Sequence, residues 1–461
     1  MAIDDVEAFL EAHEIGRVRV LGVTPDALPI GKVLSPATFL RAVEGKGVGI
    51  ADFAMGMDRI GEPSMGFTAP WRSSVIGDLH LVPDLATLRP VAGLDGMAGC
   101  WADVHAPDGT PVDMCGRSLV KDLAARLAAL GYQSRFSFEI EGQFFEGTAG
   151  ENRAREWRDL TPLGVGGHIA YLAQDIHRLD PIMTEICRRL DVAGVPWEAW
   201  NAEAAAGQFE INVEPRDPLT AADHVLTVRK VTKEVAHERG LSATFMARVT
   251  EDYGNGLHVH HSLVAESGPV FHDPDGLDRL SPIARHWIGG LFATLAGAAS
   301  FMAPTPNSFR RIDPFKAVPT HATWDIDNKS TALRVLSESP GSARVEHRMG
   351  AGDLHPHFAA AVLLAGGLAG LEESLEPPAR FEKMAWGLPD GVGPTRLPAD
   401  VPSALEALDA DVRLRNVLGD QFVDYWIGMR RFEWLGFHTQ GGDATSAGPT
   451  PWELSRYFET L

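Results

Sequence analysis

Cysteine is scarce in this chain of 461 residues: Cys100, Cys115 and Cys187 are the only three, and no two share a CxxC spacing. An odd count without paired spacings speaks against a disulfide framework or a thiolate zinc site and suits a reducing cytoplasm. Positive charge is also in deficit. The chain has 41 Lys and Arg against 62 Asp and Glu, a formal net charge of −21. That argues against nucleic acid and anionic membrane as partners, since both select basic surfaces. Neither GxxxxGK[ST] nor GxGxxG occurs, so a bound nucleotide would be held by neither a P-loop nor a Rossmann turn. The longest apolar run, residues 287–303, is short of the roughly 20 residues that a membrane span needs. It reads as a buried core helix, as does 358–371. Residues 1–15 are acidic and amphipathic with no basic start, which predicts a surface helix rather than a signal peptide.

The chain does have enough length for two domains or more and an ordinary composition, 45% hydrophobic and 22% charged. Alternation predicts a strand over 17–23, and Ser35 before Pro36 predicts a capped helix over 36–44. Residues 100–105 and 111–115 flank an Ala-Pro-Asp-Gly turn and read as a hairpin, followed by an amphipathic helix over 118–130 that Gly131 ends. Further on, strands carrying acids or histidines (136–145, 208–214, 256–264, 320–324, 332–335, 343–348) are interspersed with helices (176–193, 218–239, 281–303, 357–375). The pattern is α+β. The domain boundary is placed between residues 112 and 113.

Four constellations carry chemistry. In Phe138-Glu139-Ile140-Glu141 the two carboxylates point to one strand face, where they repel unless water or a cation separates them. A solvated strand edge would look the same, but the flanking phenylalanines argue against a wet face. Glu203, then Gly207-Gln208-Phe209-Glu210, adds two acids. His258 and His260 also share a face, a common metal-ligand spacing. A zinc hydrolase is the rival reading and predicts activity without ATP; a set dominated by carboxylates suits Mg²⁺ or Mn²⁺ better. Finally, Arg310, Arg311, Lys329, Arg334, Arg344 and Arg348 form a cationic run in an acidic chain. Internal salt bridges explain any one of them; together they suit carboxylate or phosphate ligands.

Taken in order, FEIEGQFF (138–145), GQFEINVE (207–214), GNGLHVHHSL (254–263), PTPNSFRRIDPFKAVP (304–319), DNKSTALRV (327–335) and RVEHR (344–348) resemble the glutamine synthetase family. The resemblance also covers Gly31-Lys32 and residues 82–89, which look like that family's small N-terminal β-grasp domain, and the tail 452–457. It implies a large catalytic domain with an antiparallel sheet backed by helices. It implies ATP and two or more Mg²⁺ or Mn²⁺ ions per site, one held by Glu141, Glu203 and Glu210, the other by Glu139, His258 and Glu346. Glu198, His260, Ser262, Arg334 and Arg344 match nucleotide-contacting positions. Gly254, Arg311 and Arg348 match substrate-binding positions, and Arg311, Lys329 and Asp58 match catalytic ones, Asp58 as the family's ammonium-binding acid. The implied reaction is ligation of the glutamate γ-carboxyl to an amine through a γ-glutamyl phosphate. The implied assembly is a cytoplasmic dodecamer of two hexameric rings, with sites between subunits.

Two departures bear on the substrate. The family's flap glutamate falls on Ala317 in Pro314-Phe315-Lys316-Ala317-Val318-Pro319. Alanine provides no anionic partner for ammonium and leaves room, so a small organic amine is expected in place of ammonia, as in the family's amine-ligase branch. Lys329 stands where the family carries Arg and lacks the bidentate fork. The alternatives are a glutamine synthetase proper or a non-catalytic paralogue.

Overall fold

The computed structural model describes residues 3–64, 76–164, 169–313, 316–389, 391 and 393–461. Pro314 and Phe315 of the flap segment lie outside the described residues.

A first, mixed sheet precedes a larger one. Helix α1 (Ile3–Ala12) leads into β1 (Arg17–Val23) and β2 (Pro29–Leu34), and α2 (Pro36–Glu44) follows with Ser35 accepting from the Thr38 N–H as its cap. Then come β3 (Val48–Ala51), β4 (Asp78–Pro83), β5 (Arg89–Pro90) and β6 (Met97–His105). The order is β2-β1-β6-β4-β3, with β1 parallel to β6 and β5 on the side of β6. Residues 111–115 do not form the expected second hairpin strand. One bridge joins His105 to Pro111, and Cys115 already caps α3 (Gly116–Ala129).

The second sheet is built from β7 (Gln133–Glu146), β8 (Trp197–Ala202), β9 (Gln208–Val213), β10 (Leu241–Thr244), β11 (Leu257–Ala265), β12 (Gly268–Pro269), β13 (Trp324–Ile326), β14 (Leu333–Leu336) and β15 (Arg344–His347). Its order is β13-β14-β15-β11-β7-β9-β8. All pairings are antiparallel except β13 beside β14. The strand expected over 320–324 starts only at Trp324.

Helices α4 (Ala149–Ala154), α5 (Ala173–Val192), α6 (Pro218–Glu238), α7 (Pro282–Ala293), α8 (Leu295–Met302), α9 (Pro306–Arg311) and α10 (Pro356–Glu373) intersperse with the strands. The single helix expected over 281–303 is two, parted at Thr294, whose hydroxyl donates to the Gly290 carbonyl at 3.0 Å. Helix α10 is buried on every side over its first 15 residues, as an evenly apolar helix must be. It approaches α7 through glycine: a Cβ on Gly290 would lie 2.1 Å from the Gly366 carbonyl. The carboxy-terminal helices α11 (Val401–Asp409), α12 (Val412–Leu418), α13 (Asp420–Thr439) and α14 (Pro451–Tyr457) complete the chain. The sequence reading had assigned no helix between 400 and 440. No helix among the described residues is long and apolar enough to cross a membrane.

Period-two alternation sorts the side chains of the large sheet. Phe136, Phe138 and Ile140 of β7, Phe209 and Ile211 of β9, Val259 and His261 of β11, and Val345 and His347 of β15 point to the helices and are buried. Their neighbours in sequence therefore share the opposite face. These are Glu139 and Glu141, Glu210 and Asn212, His258 and His260, and Arg344 and Glu346.

Candidate active site

Strand register turns those alternations into a cluster. Glu141 lies across from Glu210, Glu139 across from both Asn212 and His258, and His260 across from Glu346, itself beside Arg334. Residues 141 and 346 are thus joined by two hydrogen-bonded strand pairs, β7 with β11 and β11 with β15, and chain separation becomes side-chain contact.

One part of the cluster is acidic. Glu141 accepts from the Gln208 amide at 3.0 Å and the Gly256 N–H at 2.7 Å. Glu203, in the loop leaving β8, accepts from Asn201 and the Ala204 N–H; Glu210 accepts from Asn212 at 2.9 Å. These donors do not offset the repulsion. Burial, then the charge of Glu141, pushes Glu203 up to about 7; burial, then Glu139 and Glu141, pushes Glu210 up to about 8. Carboxylates crowded until they hold protons near neutrality are a set that a divalent cation would relieve.

The other part mixes imidazole and carboxylate. His258 Nδ1 is 3.1 Å from Glu139 Oε2, and His260 Nε2 is 2.9 Å from Glu139 Oε1. Arg344 Nε donates to His260 Nδ1 at 3.2 Å, and Arg311 Nη2 approaches His258 Nε2 at 3.4 Å. In this arrangement the other ring nitrogen of each histidine faces Glu139. Burial works against ionisation of Glu139, but the two histidines outweigh it and hold the carboxyl well below its usual range. Glu346, with no exposed surface, is likewise held low: Arg348 and the histidines overcome its burial. Arg348 and Arg334 both bond to it. Ligand atoms of Glu139, His260 and Glu346 lie within 4.8 Å of one another. The resemblance had named His258 as the histidine ligand and left His260 to the nucleotide. The structure brings both to Glu139, and His260 belongs to this group as closely as His258.

Beside the carboxylates sit two buried guanidinium groups with open hydrogen-bonding capacity. Arg311 is 4% exposed, and its Nε and Nη1 have no partner; Arg348 is 7% exposed, and its Nε has none. Gly254 and Gly256 let the backbone pass Arg311. A Cβ on Gly256 would lie 2.6 Å from Arg311 Nη2 and 2.9 Å from Glu141 Oε1, and one on Gly254 would lie 2.3 Å from the Ala247 carbonyl. Buried guanidinium nitrogens without partners call for an acceptor, so this corner fits a carboxylate-bearing substrate.

The remaining residues singled out in the sequence scatter more widely. Arg334 also bonds Asp327 at 2.6 Å. Ser262 is half-buried on β11, on the histidine face. Lys329 is exposed in the loop between β13 and β14, on an open groove with Asp325, Asn328 and Lys383. Glu198 is exposed on the edge strand β8. Neither Lys329 nor Glu198 touches the cluster. Asp58 is held elsewhere in its own chain: buried, it pairs with Arg456 at 2.5 Å, and Arg456 in turn pairs with Glu433. An acid so engaged offers no free carboxylate to an amine in this subunit. Ala317 is half-buried with φ +60°.

Sequence reasoning missed the amides that fix the acids: Gln208, Asn201, Asn212 and Asn255. Gln208 alone bonds Glu141, the Gly254 carbonyl at 3.2 Å and Asn255 at 3.1 Å. Its place on the ligand face of β9, two before Glu210, was the available signal. Tyr171 was also missed. It is 62% exposed with φ +64°, and burial followed by Glu203, Glu210, Glu139 and Glu141 pushes its hydroxyl above its usual range. Nothing local in the sequence marks it.

The family model described as "Glutamine synthetase, catalytic domain" matches residues 113–457. A glutamate–isopropylamine ligase of Pseudomonas sp is 28% identical over 99% of this chain and 98% of its own. A gamma-glutamylethanolamide synthetase of Streptomyces coelicolor is 29% identical over 100% and 96%. A glutamine synthetase of Thermus thermophilus is 30% identical over 92% and 91%. Among solved structures, apo GmaS superposes with a TM-score of 0.82 at 25% identity, covering 97% of this chain and 98% of that one. A catalytic-domain match over three quarters of the length, and relatives aligned end to end, agree with the carboxylate-lined sheet: the chain belongs to the glutamine synthetase family.

Proposed function

We propose that this protein is an ATP-dependent ligase that joins the γ-carboxyl of glutamate to a small organic amine, giving a γ-glutamylamide, ADP and phosphate through a γ-glutamyl phosphate. The observation that carries the proposal is the convergence of two carboxylate-rich groups beside the open guanidinium groups of Arg311 and Arg348.

Glu141, Glu203 and Glu210 would hold one divalent cation, Mg²⁺ or Mn²⁺, and Glu139, His258 and Glu346, with His260 adjacent, a second. When bound, these ions supply charge neutralisation for a transferring phosphoryl group. The protein's own groups do the rest. Arg311 and Arg348 grip the glutamate carboxylates, bidentately where their forks are free. The Gly254 carbonyl faces the same corner and suits the α-ammonium group. Arg334, Arg344, His260 and Ser262 take the nucleotide, with Lys329 and Glu198 at its periphery. A buried floor keeps water from the acyl phosphate.

The organic amine rests on Ala317 and on relatives named for isopropylamine, ethanolamide and anilide chemistry. A methyl group at 317 provides no counter-charge for ammonium. We also read residues 1–112 as the small domain and 113–461 as the catalytic domain, and the whole as a cytoplasmic homododecamer. Exposed apolar side chains on the small domain, Val33, Phe53 and Ile60, suit burial between subunits. Phosphate release from ATP, glutamate and Mg²⁺ with a panel of isopropylamine, ethanolamine, aniline, polyamines and ammonia tests the proposal. At least one organic amine is expected to exceed ammonia in kcat/KM. Ammonia exceeding every amine would overturn the substrate assignment, and no release with any of them would overturn the ligase.

A further inference from the structure

A second cavity, of about 390 Å³, lies away from the acidic cluster, where the first sheet meets α5 and α6. That volume is in the range of small-molecule sites. In a chain of net charge −21, its wall carries five cations, Arg19, Arg89, Arg189, Arg216 and Lys230, and three acids. The acids are already engaged. Asp84 and Asp223 both bond Arg117, and Glu234 pairs with Arg19 at 3.1 Å.

The cations are not all engaged. Arg89 spends Nη1 on the Ala86 and Leu88 carbonyls, and no carboxylate among the described residues lies within ion-pair distance. It reaches from β5 across to the turn after α5, where a Cβ on Gly194 would lie 3.1 Å from its Nε. Arg216 has one carboxylate partner, Glu214, and donates Nη1 to the Pro215 carbonyl at 3.1 Å; both side chains of the ion pair are more than a third exposed, so the pair contributes little and yields readily. His224 lines the same cavity, is 8% exposed, and has an Nδ1 without a partner. Burial, with Arg216 and Arg89 adding to it against Asp223 and Asp217, pushes His224 down to about 4, so the ring is neutral at pH 7 and can donate to an anion.

We propose that this cavity binds a small metabolite bearing carboxylate or phosphate groups, gripped by Arg89 from the first sheet and by Arg216 from the catalytic sheet's side, with His224 as a neutral donor. Such a ligand bridges the two parts of the chain and is distinct from glutamate and nucleotide at the acidic cluster. The site stands independently of the ligase reading. Its placement across the seam makes it a point of regulation, since an anion there stabilises one setting of the small domain against the catalytic one.

Calorimetric titration of the full chain with inorganic phosphate and, separately, with succinate tests the site; acetate serves as the single-charge control. Arg89→Gln and Arg216→Gln are compared with wild type. Arg89 and Arg216 lie outside the acidic cluster, so ATP-dependent phosphate release without added anion is expected to be unchanged in both variants. Phosphate or succinate is expected to bind with a Kd on the order of 1 mM or tighter, and each substitution to weaken it about tenfold or more. Whichever probe binds more tightly identifies the ligand class. Binding of neither probe, or binding that survives both substitutions, overturns the proposal.

Discussion

Replacing Glu210 by Gln tests the idea that the acidic cluster is built to hold a divalent cation. An unfolded glutamate ionises near 4.5, whereas in the fold Glu210 holds its proton to about 8 and Glu203 to about 7. The folded pKa is raised, so the penalty is absent below pH ~4.5, where both states are protonated, and grows as pH rises toward the folded value. At pH 7 the shift of Glu210 amounts to about 3 kcal/mol against the fold. Glu203 shares the same repulsion, so its shift does not simply add. Glutamine keeps an oxygen for Asn212 and removes the charge. Chelator-treated wild type is expected to lose thermal stability from pH 5 to 8, and the rise in Tm given by Mg²⁺ to increase over the same interval. Glu210→Gln without metal at pH 7.5 is expected to melt a few degrees above metal-free wild type, with its Mg²⁺ response largely abolished. Differential scanning calorimetry in the presence and absence of Mg²⁺ reads all three. A metal-free Tm that is flat over this pH range, or a Glu210→Gln protein less stable than metal-free wild type, refutes the reasoning.

Other perturbations separate roles within the site. Arg348→Ala leaves Glu346 with Arg334 as its remaining guanidinium partner and removes a candidate carboxylate grip; glutamate KM should rise at least tenfold, measured by phosphate release at saturating amine. Gln208→Leu removes the amide donor shared by Glu141, the Gly254 carbonyl and Asn255, with an expected loss of about 1–3 kcal/mol in denaturant unfolding and a fall in activity with it. Ala317→Glu restores an anion to the flap, and the ratio of kcat/KM for ammonia over the best amine should increase. Gly290→Ala drives a methyl toward the Gly366 carbonyl at the α7–α10 crossing, and thermal unfolding should show a loss of about 1–3 kcal/mol.

The ligand face was legible because strand period needs no tertiary information. Once 136–145, 208–214, 256–264 and 343–348 read as strands, the carboxylates and histidines at alternate positions had to share faces, and the structure moves those strand ends by only a few residues. The helix break at Thr294 was not legible, since it answers to packing against Gly366 on a helix 70 residues later. The helices between 400 and 440 went unassigned for a related reason. Inside α13 the apolar rhythm is interrupted by Arg430 and Glu433, whose charges are buried because Asp26 and Arg456 meet them from remote parts of the chain. The engagement of Asp58 was out of reach for the same reason, its partner Arg456 being nearly 400 residues away.

The order of residue types along this chain determined its family, its α+β character and the list of ionisable groups on one side of each strand. Periodicity and motif order are local properties that survive without a fold. Only the tertiary structure decided which of those groups meet: that His260 joins His258 at Glu139, that Gln208 braces Glu141, and that Arg89 and Arg216 line a common cavity. Coulomb energy and hydrogen bonding depend on separations of a few ångströms, and strand register and domain packing set those distances.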